Sequence, residues 1–181
     1  MTIELRGPTV TLRAFREDEY EGVLARLPGD AGDPDVSLVR RQRVERSGTR
    51  TSAELLMAVE AGGKLVGDVQ SRNVEMAMPP GVWELGIELW DGTDRGRGLG
   101  REAVALLTSY LFEEEDAHRV QASTDVENTA MRRVLDLLGF ADEGTLRGFM
   151  PQPSGEPRDY VMYGLTRADY HREKERWIRT S

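Results

Sequence analysis

Read by hydrophobic and polar positions, the chain opens with Thr9 to Arg13, an alternating, β-branched run that predicts a first strand. Arg16 to Leu27 follows with Tyr20, Val23, Leu24 and Leu27 at helical spacing, ended by Pro28-Gly29. Gly29 to Asp35 is glycine, proline and aspartate, a loop by composition. Ser37 to Arg50 has five arginines and few apolar residues, which predicts a weakly held surface helix. Ala53 to Glu60 and Lys64 to Asn73 form a hairpin around Ala61-Gly62-Gly63. Val74 to Gly81, with Met76 and Met78, connects it to the next strand.

The organising stretch is Trp83 to Glu115. Trp83 to Trp90 alternates, with Glu84, Gly86, Glu88 and Trp90 on one face and Trp83, Leu85, Ile87 and Leu89 on the other. Asp91 to Gly100 is a loop, and a helix follows whose Leu99, Ala103, Leu106, Leu107, Tyr110 and Leu111 recur at steps of three and four. Its acidic end, Glu113 to Asp116, opposes the helix dipole, so fraying is expected there.

His118 to Ser123 predicts a strand parallel to Trp83 to Trp90, reached by a right-handed crossover. Asn128 stands where a cap belongs, before a helix with Met131, Val134, Leu135 and Leu138 on one stripe and Gly139 at its end. Ala141 to Met150 and Arg158 to Leu165 make a closing β-pair around Pro151 to Pro157, and Asp169 to Ile178 a polar last helix. The order β-α-α-β-β-β-α-β-α-β-β predicts an α+β, three-layer chain: a mixed, mostly antiparallel sheet, splayed at its central strands, with helices on both faces.

In Arg95-Gly96-Arg97-Gly98-Leu99-Gly100, side-chain-free positions alternate with guanidinium groups at a helix N-terminus. Free amides, the positive end of the dipole and Arg95, Arg97 and Arg101 would converge on a polyanion such as a pyrophosphate. A Walker loop would need Lys and a hydroxyl after Gly100, where Arg101-Glu102 stands. A dinucleotide fingerprint would need its glycines directly after the strand, and Asp91 to Arg95 intervene, although Asp125 could supply its acid.

Arg95, Gly98 and Gly100 fill the pattern of Arg or Gln, two residues, Gly, one residue, Gly or Ala, and with it the chain resembles the GNAT acetyltransferases. Glu84-Leu85-Gly86, Glu102-Ala103, Asn128 with Leu138-Gly139-Phe140, and Tyr163 to Thr166 resemble the RimJ/RimL branch, so the likeness spans nearly the whole of residues 1–181, read as a single domain. The resemblance implies an N-acetyltransferase that uses acetyl-CoA, with Arg95, Gly96, Arg97, Gly98, Leu99, Gly100 and Arg101 around the pyrophosphate. Glu88, Leu89 and Trp90, on a bulged strand, would pair with the pantetheine arm, and Asn128 would cap its helix or reach the pantetheine amides.

It also implies direct attack by a primary amine, from a protein N-terminus, an amino acid or a small amine. Glu84 is the first candidate for the base and Glu88 the reserve. The family's hydroxyl donors would fall at Met131 and Leu135, which cannot give a proton, so Tyr160, Tyr163 and water remain as acids. That departure keeps a rival reading open: an acyl-CoA-binding sensor or degenerate module. Dimers are common in the family, and Trp177-Ile178 offers a contact for a homodimer.

Composition trims the rest. The net charge of −8 argues against nucleic acid and suits a cationic acceptor or plain solubility. The absence of cysteine excludes disulfides and thiolate metal sites; no metal is expected, and with no export signal the chain fits a cytoplasmic setting. No stretch is apolar enough to span a membrane. The arginines between Ser37 and Arg50 are a solvated face, or they meet an acidic part of the acceptor; His118 and His171 are structural.

Overall fold

The computed structural model describes residues 2–26, 34–51, 54–73, 78–153 and 155–179, with the side chains of 34, 178 and 179 left aside. Most of the Gly29 to Asp35 loop, and Met76 of the later connection, lie outside the described residues.

One sheet of eight strands runs β1-β2-β3-β4-β5-β6-β8-β7. Its strands are β1 (Leu5–Arg6), β2 (Val10–Arg13), β3 (Glu54–Ala61), β4 (Lys64–Arg72), β5 (Val82–Leu89), β6 (Arg119–Asp125), β7 (Ala141–Met150) and β8 (Arg158–Thr166). Every neighbouring pair is antiparallel except β5 and β6. The β3–β4 hairpin turns on Gly62-Gly63, and the short β1, which the alternation did not predict, pairs with β2.

The α-helices are α1 (Tyr20–Leu24), α2 (Pro34–Glu45), α3 (Leu99–Glu113), α4 (Thr129–Leu137) and α5 (Arg167–Arg179). The helix expected from Arg16 starts instead as a 3-10 turn, Glu17–Glu19, because the Glu19 carboxylate turns back to accept from the Arg16 amide at 2.7 Å. Over one face of the sheet lies the main core, where Ala103, Val104, Leu107 and Leu111 of α3 are fully buried with Trp83, Leu85, Val120 and Tyr163 of the strands. Over the other lies a smaller cluster of Phe15, Val23, Val44, Leu56 and Ala58 beneath α1 and α2.

Two expectations about helix ends and surfaces change. The arginine-rich α2 is pinned rather than weakly held: Arg40 donates to the Leu24 carbonyl at 2.6 Å, Arg41 pairs with Glu21 at 2.7 Å, and Arg43 reaches the sheet to bond Glu54 and Gln70. The acidic end of α3 does not fray into solvent, because the fold brings donors to it. Tyr170 donates to Glu113 at 2.6 Å, Tyr110 to Glu115 at 2.5 Å, and Arg167 to the Phe112 carbonyl at 2.9 Å. Those contacts offset the unfavourable end of the dipole. His118 and His171 are exposed, in the solvated settings expected of them. Trp177 is half-buried against Tyr170, the ring centroids 5.4 Å apart.

Candidate active site

The sheet splits where its one parallel pair lies. β5 and β6 are in register only at Val82, Trp83 and Glu84 opposite Arg119, Val120 and Gln121. Beyond that point β5 follows β4 as far as Leu89, and β6 follows β8 as far as Asp125, so the two part toward their C-terminal ends. Such a gap at the strands' carboxyl ends is where open sheets take ligands.

Which main-chain groups line it follows from the register. Trp90 donates its amide to Val66 at 3.0 Å, and bonded and non-bonded pairs alternate along an antiparallel ladder. Glu84, Gly86 and Glu88 therefore spend their groups on β4, and Leu85, Ile87 and Leu89 turn theirs toward the gap. Of the strand-end groups expected to hold a pantetheine arm, Leu89 alone lies on that open edge, and its carbonyl accepts from Arg95 at 3.1 Å. The expected bulge is also missing, since β5 pairs with β4 without a register shift; register shifts lie instead between β3 and β4, where Val66 is the extra residue, and between β7 and β8.

At the end of β5 a 3-10 turn, Gly92–Asp94, leads into the glycine loop. Gly96 and Gly98 have φ of +73° and +83°, a left-handed conformation that side chains disfavour, and space is open where either Cβ would stand. Gly98 is the N-cap of α3 and offers no capping side chain, so the first-turn amides of a 15-residue helix face outward. Gly100 differs: it is helical and lies against Leu89 and Ile87, where a Cβ would make ordinary contact. Arg97 donates to buried Asp94 at 2.9 Å while most of its side chain stays in solvent. Arg97, Gly98 and Arg101 form one wall of a groove completed by Pro8, Leu137, Leu138 and Trp177. Glu102 anchors this helix end, accepting from the amides of Thr9 and Val10 at 2.8 and 2.9 Å.

The candidate catalytic groups separate by face. Glu84 sits opposite Gln121 on the α1/α2 side, held by Arg72 and by Gln121 Nε2 at 3.3 Å, with 13% of its side chain exposed. Gly86, Glu88 and Trp90 share that side, with Glu88 exposed. Tyr160 does too, through its partner Asp125, but four residues further along β6 than Gln121, about 13 Å. Tyr163 does not. It pairs with Ala122, is 1% exposed in the α3-side core, and receives a hydrogen bond from Arg132 at 3.3 Å. Met131 packs on that core and Leu135 lies inside it, while Asn128 Oδ1 accepts from the Met131 amide at 3.1 Å as a helix cap.

One residue of this face went unnoticed in the sequence. Asp68 of β4 is the register partner of Glu88, is buried, and accepts from Trp90 Nε1 at 3.1 Å. Burial pushes its carboxyl up to about 6, against the indole hydrogen bond; the Glu88 charge adds to the rise and Arg43 opposes it. It was hidden because Asp68 stands in Lys64 to Asn73 at the same alternate positions as Gln70 and Arg72, where it reads as one more polar residue of a hairpin strand. Among the described residues, no cluster of His, Cys, Asp or Glu could hold a metal ion, and no helix is long and apolar enough to cross a membrane.

Residues 9–141 match the family described as the acetyltransferase (GNAT) domain, and the chain belongs to that family. The Bacillus licheniformis protein named "Uncharacterized N-acetyltransferase p20" is 32% identical over 88 residues, 49% of this chain and 46% of that protein, so the match spans about half of each. Mycobacterium smegmatis RimJ in complex with CoA-disulfide shares the fold, with a TM-score of 0.72 at 22% identity over 94% of this chain and 91% of its own. The ribosomal-protein-S5-alanine acetyltransferase of Vibrio fischeri does likewise, with a TM-score of 0.73 at 19% identity over 93% and 98%.

Proposed function

We propose that the chain is an acetyl-CoA-dependent N-acetyltransferase of the RimJ/RimL kind, which moves an acetyl group to a primary amine by direct attack. The observation that carries this reading is the parting of β5 from β6 beside the uncapped N-terminus of α3 and its two left-handed glycines. Acetyl-CoA supplies the thioester when bound. The residues present fit it: open space at Gly96 and Gly98 admits a phosphate to the first-turn amides, and Arg97 and Arg101 add charge at the same turn. The open edge of β5 at Leu85, Ile87 and Leu89 suits strand-like pairing with an amide-bearing arm.

On the other face Glu84, oriented by Arg72 and Gln121, takes the proton from the attacking amine, directly or through water. The new bond joins amine nitrogen to acetyl carbon, the carbon–sulfur bond breaks, and water returns a proton to the thiolate, since Tyr160 lies about 13 Å along β6 from the level of Glu84. The lack of cysteine suits both direct attack and a reducing cytoplasm.

A binding module without turnover is the second reading, favoured by Met131 and Leu135, which pack into the core where hydroxyl donors would stand. A thiol-release assay with acetyl-CoA against mixed peptides and small amines separates the two. Transfer is expected, with Glu84→Gln lowering kcat on the order of 100-fold and leaving CoA affinity by calorimetry nearly intact. Absence of transfer across the panel, with CoA still bound, assigns the module.

A further inference from the structure

The amides that make the glycine loop attractive to an anion belong to one helix turn, and a single side chain ties that turn to the edge of the sheet. Glu102 closes the first turn of α3, donating its amide to the Gly98 carbonyl at 3.0 Å. Its carboxylate leaves the helix altogether. Oε1 accepts from the amides of Thr9 at 2.8 Å and Val10 at 2.9 Å, and Oε2 accepts from the Thr9 hydroxyl. Of the other residues in this turn between β1 and β2, Pro8 has no amide hydrogen, and the Gly7 amide goes to the Val10 carbonyl at 2.8 Å. An ordinary hairpin would return the Val10 amide to Gly7, and here it is spent on Glu102.

Room for the carboxylate is built into the chain. A Cβ at Gly7 would overlap Glu102 Oε1 and stand 3.1 Å from Leu106 Cδ1. Gly7 is not one of the left-handed glycines, so it supplies space and not an unusual backbone. A carboxylate in the first turn of a helix would otherwise compete for the amides there and repel a polyanion. With its oxygens drawn to Thr9 and Val10, Glu102 leaves the uncapped first turn facing outward and fixes its direction. The same bonds set Pro8 and Thr9 beside Arg97, Gly98 and Arg101 in one groove.

We propose that Glu102 is a positioning residue for the diphosphate of the coenzyme: through the β1–β2 turn it clamps the first turn of α3, so that the sheet edge and the glycine loop move as one unit. This role rests on the acetyl-CoA reading of the loop. It adds a dependence on Gly7 and Val10, which lie outside the groove.

Reciprocity supplies a test that needs no variant: if a loosened clamp weakens CoA binding, bound CoA must tighten the clamp by the same factor. Hydrogen exchange of the full chain is expected to slow about tenfold at the Val10 amide when CoA saturates. Val10 is 1% exposed and does not line the groove, so the ligand does not shield it directly. The Ile3 amide, bonded to the Gly48 carbonyl at 2.7 Å, should keep its rate. An unchanged rate at Val10, or equal slowing at Ile3, overturns the proposal. Calorimetry with CoA reads the coupling in the other direction. Glu102→Ala, and Gly7→Ala, which displaces the carboxylate without removing it, should each weaken binding about tenfold. Glu102→Gln keeps an oxygen for the two amides and should stay within about threefold of wild type. CoA affinity unchanged in both alanine variants, or glutamine no better than alanine, also overturns it. Where an alanine variant does not fold, the wild-type exchange decides. Wild type that binds no CoA removes the acetyl-CoA reading and this role together, whereas wild type that binds CoA with an indifferent Val10 removes this role alone.

Discussion

The two faces of β5 are built from alternate residues of the same eight and obey different rules. Toward α3, Trp83 and Leu85 are 2% and 4% exposed against side chains of Ala103, Leu107 and Leu111 that meet no solvent at all. Toward α1 and α2, Glu84, Gly86 and Glu88 face Arg72, Gln70 and Asp68: Glu84 pairs with Arg72, buried Asp68 accepts from the Trp90 indole, and Glu88 is exposed. The first face needs volume and apolarity, which many residues supply. The second needs particular atoms in particular places, which is how a site differs from a core.

The largest effect that sharpens this contrast is on the core side. Leu107→Ala empties a fully buried position in the middle of α3 and is expected to cost about 2–5 kcal/mol, read as a lower urea midpoint with an unchanged slope. A loss below about 1 kcal/mol would mean that α3 collapses onto the sheet to fill the space, and the two faces would differ less than their burial says.

On the polar side the sign reverses. Asp68 is raised from 3.8 to about 6 when folded, so the native state holds its proton more tightly than the unfolded chain does. Stability from this group is greatest at low pH, falls as pH rises between those two values, and is flat above them. Asp68→Asn should therefore stabilise the protein at pH 8, by roughly 3 kcal/mol at most, and the gain should vanish below about pH 4. Glu19 behaves oppositely. Burial would raise it, but bonds from the Arg13 guanidinium and the Arg16 amide outweigh that and hold it below its ordinary value, so its contribution is lost as pH falls. Thermal midpoints of wild type and Asp68→Asn across pH 4 to 8 check this, and parallel curves would place Asp68 with the neutralised carboxylates.

The same contrast explains how much could be read from the chain. Strand alternation and helical spacing predicted β5, α3, β6, α4 and the closing pair, because burial of one face is a periodic demand written into Leu85, Leu107 or Val134. The glycine turn was legible for the same local reason: positive φ at Gly96 and Gly98 leaves a mark in composition. What stayed hidden is set by partners distant in sequence. Nothing near Asp68 announces Trp90, 22 residues on, or the absence of an arginine. Period two correctly split Glu84 from Leu85 and sets Tyr160 and Tyr163 on opposite faces, but only the β6–β8 register says which of the two shares the face of Glu84. The direction of main-chain groups at Glu88 and Leu89 likewise depends on how β4 pairs, which no single strand records.

The smallest effect lies at Asn128, where both rules meet in one side chain. Its oxygen caps α4 by accepting from the Met131 amide at 3.1 Å, a structural task, and the resemblance gives the amide a second task at the cofactor. Asn128→Ala removes both and should cost about 1 kcal/mol of stability. Asn128→Asp keeps a capping oxygen, favoured by the helix dipole, and removes only the donor, so its urea midpoint should match wild type. If the nitrogen also bonds the pantetheine arm, the Asp variant loses CoA affinity as the Ala variant does, by up to about tenfold for a single hydrogen bond, but without the loss of stability. That split, stability preserved and affinity lowered, is the expected result in paired denaturation and calorimetry. Equal CoA affinity in the Asp variant and wild type would assign Asn128 wholly to α4 and leave the gap between β5 and β6 to be served by β5 alone.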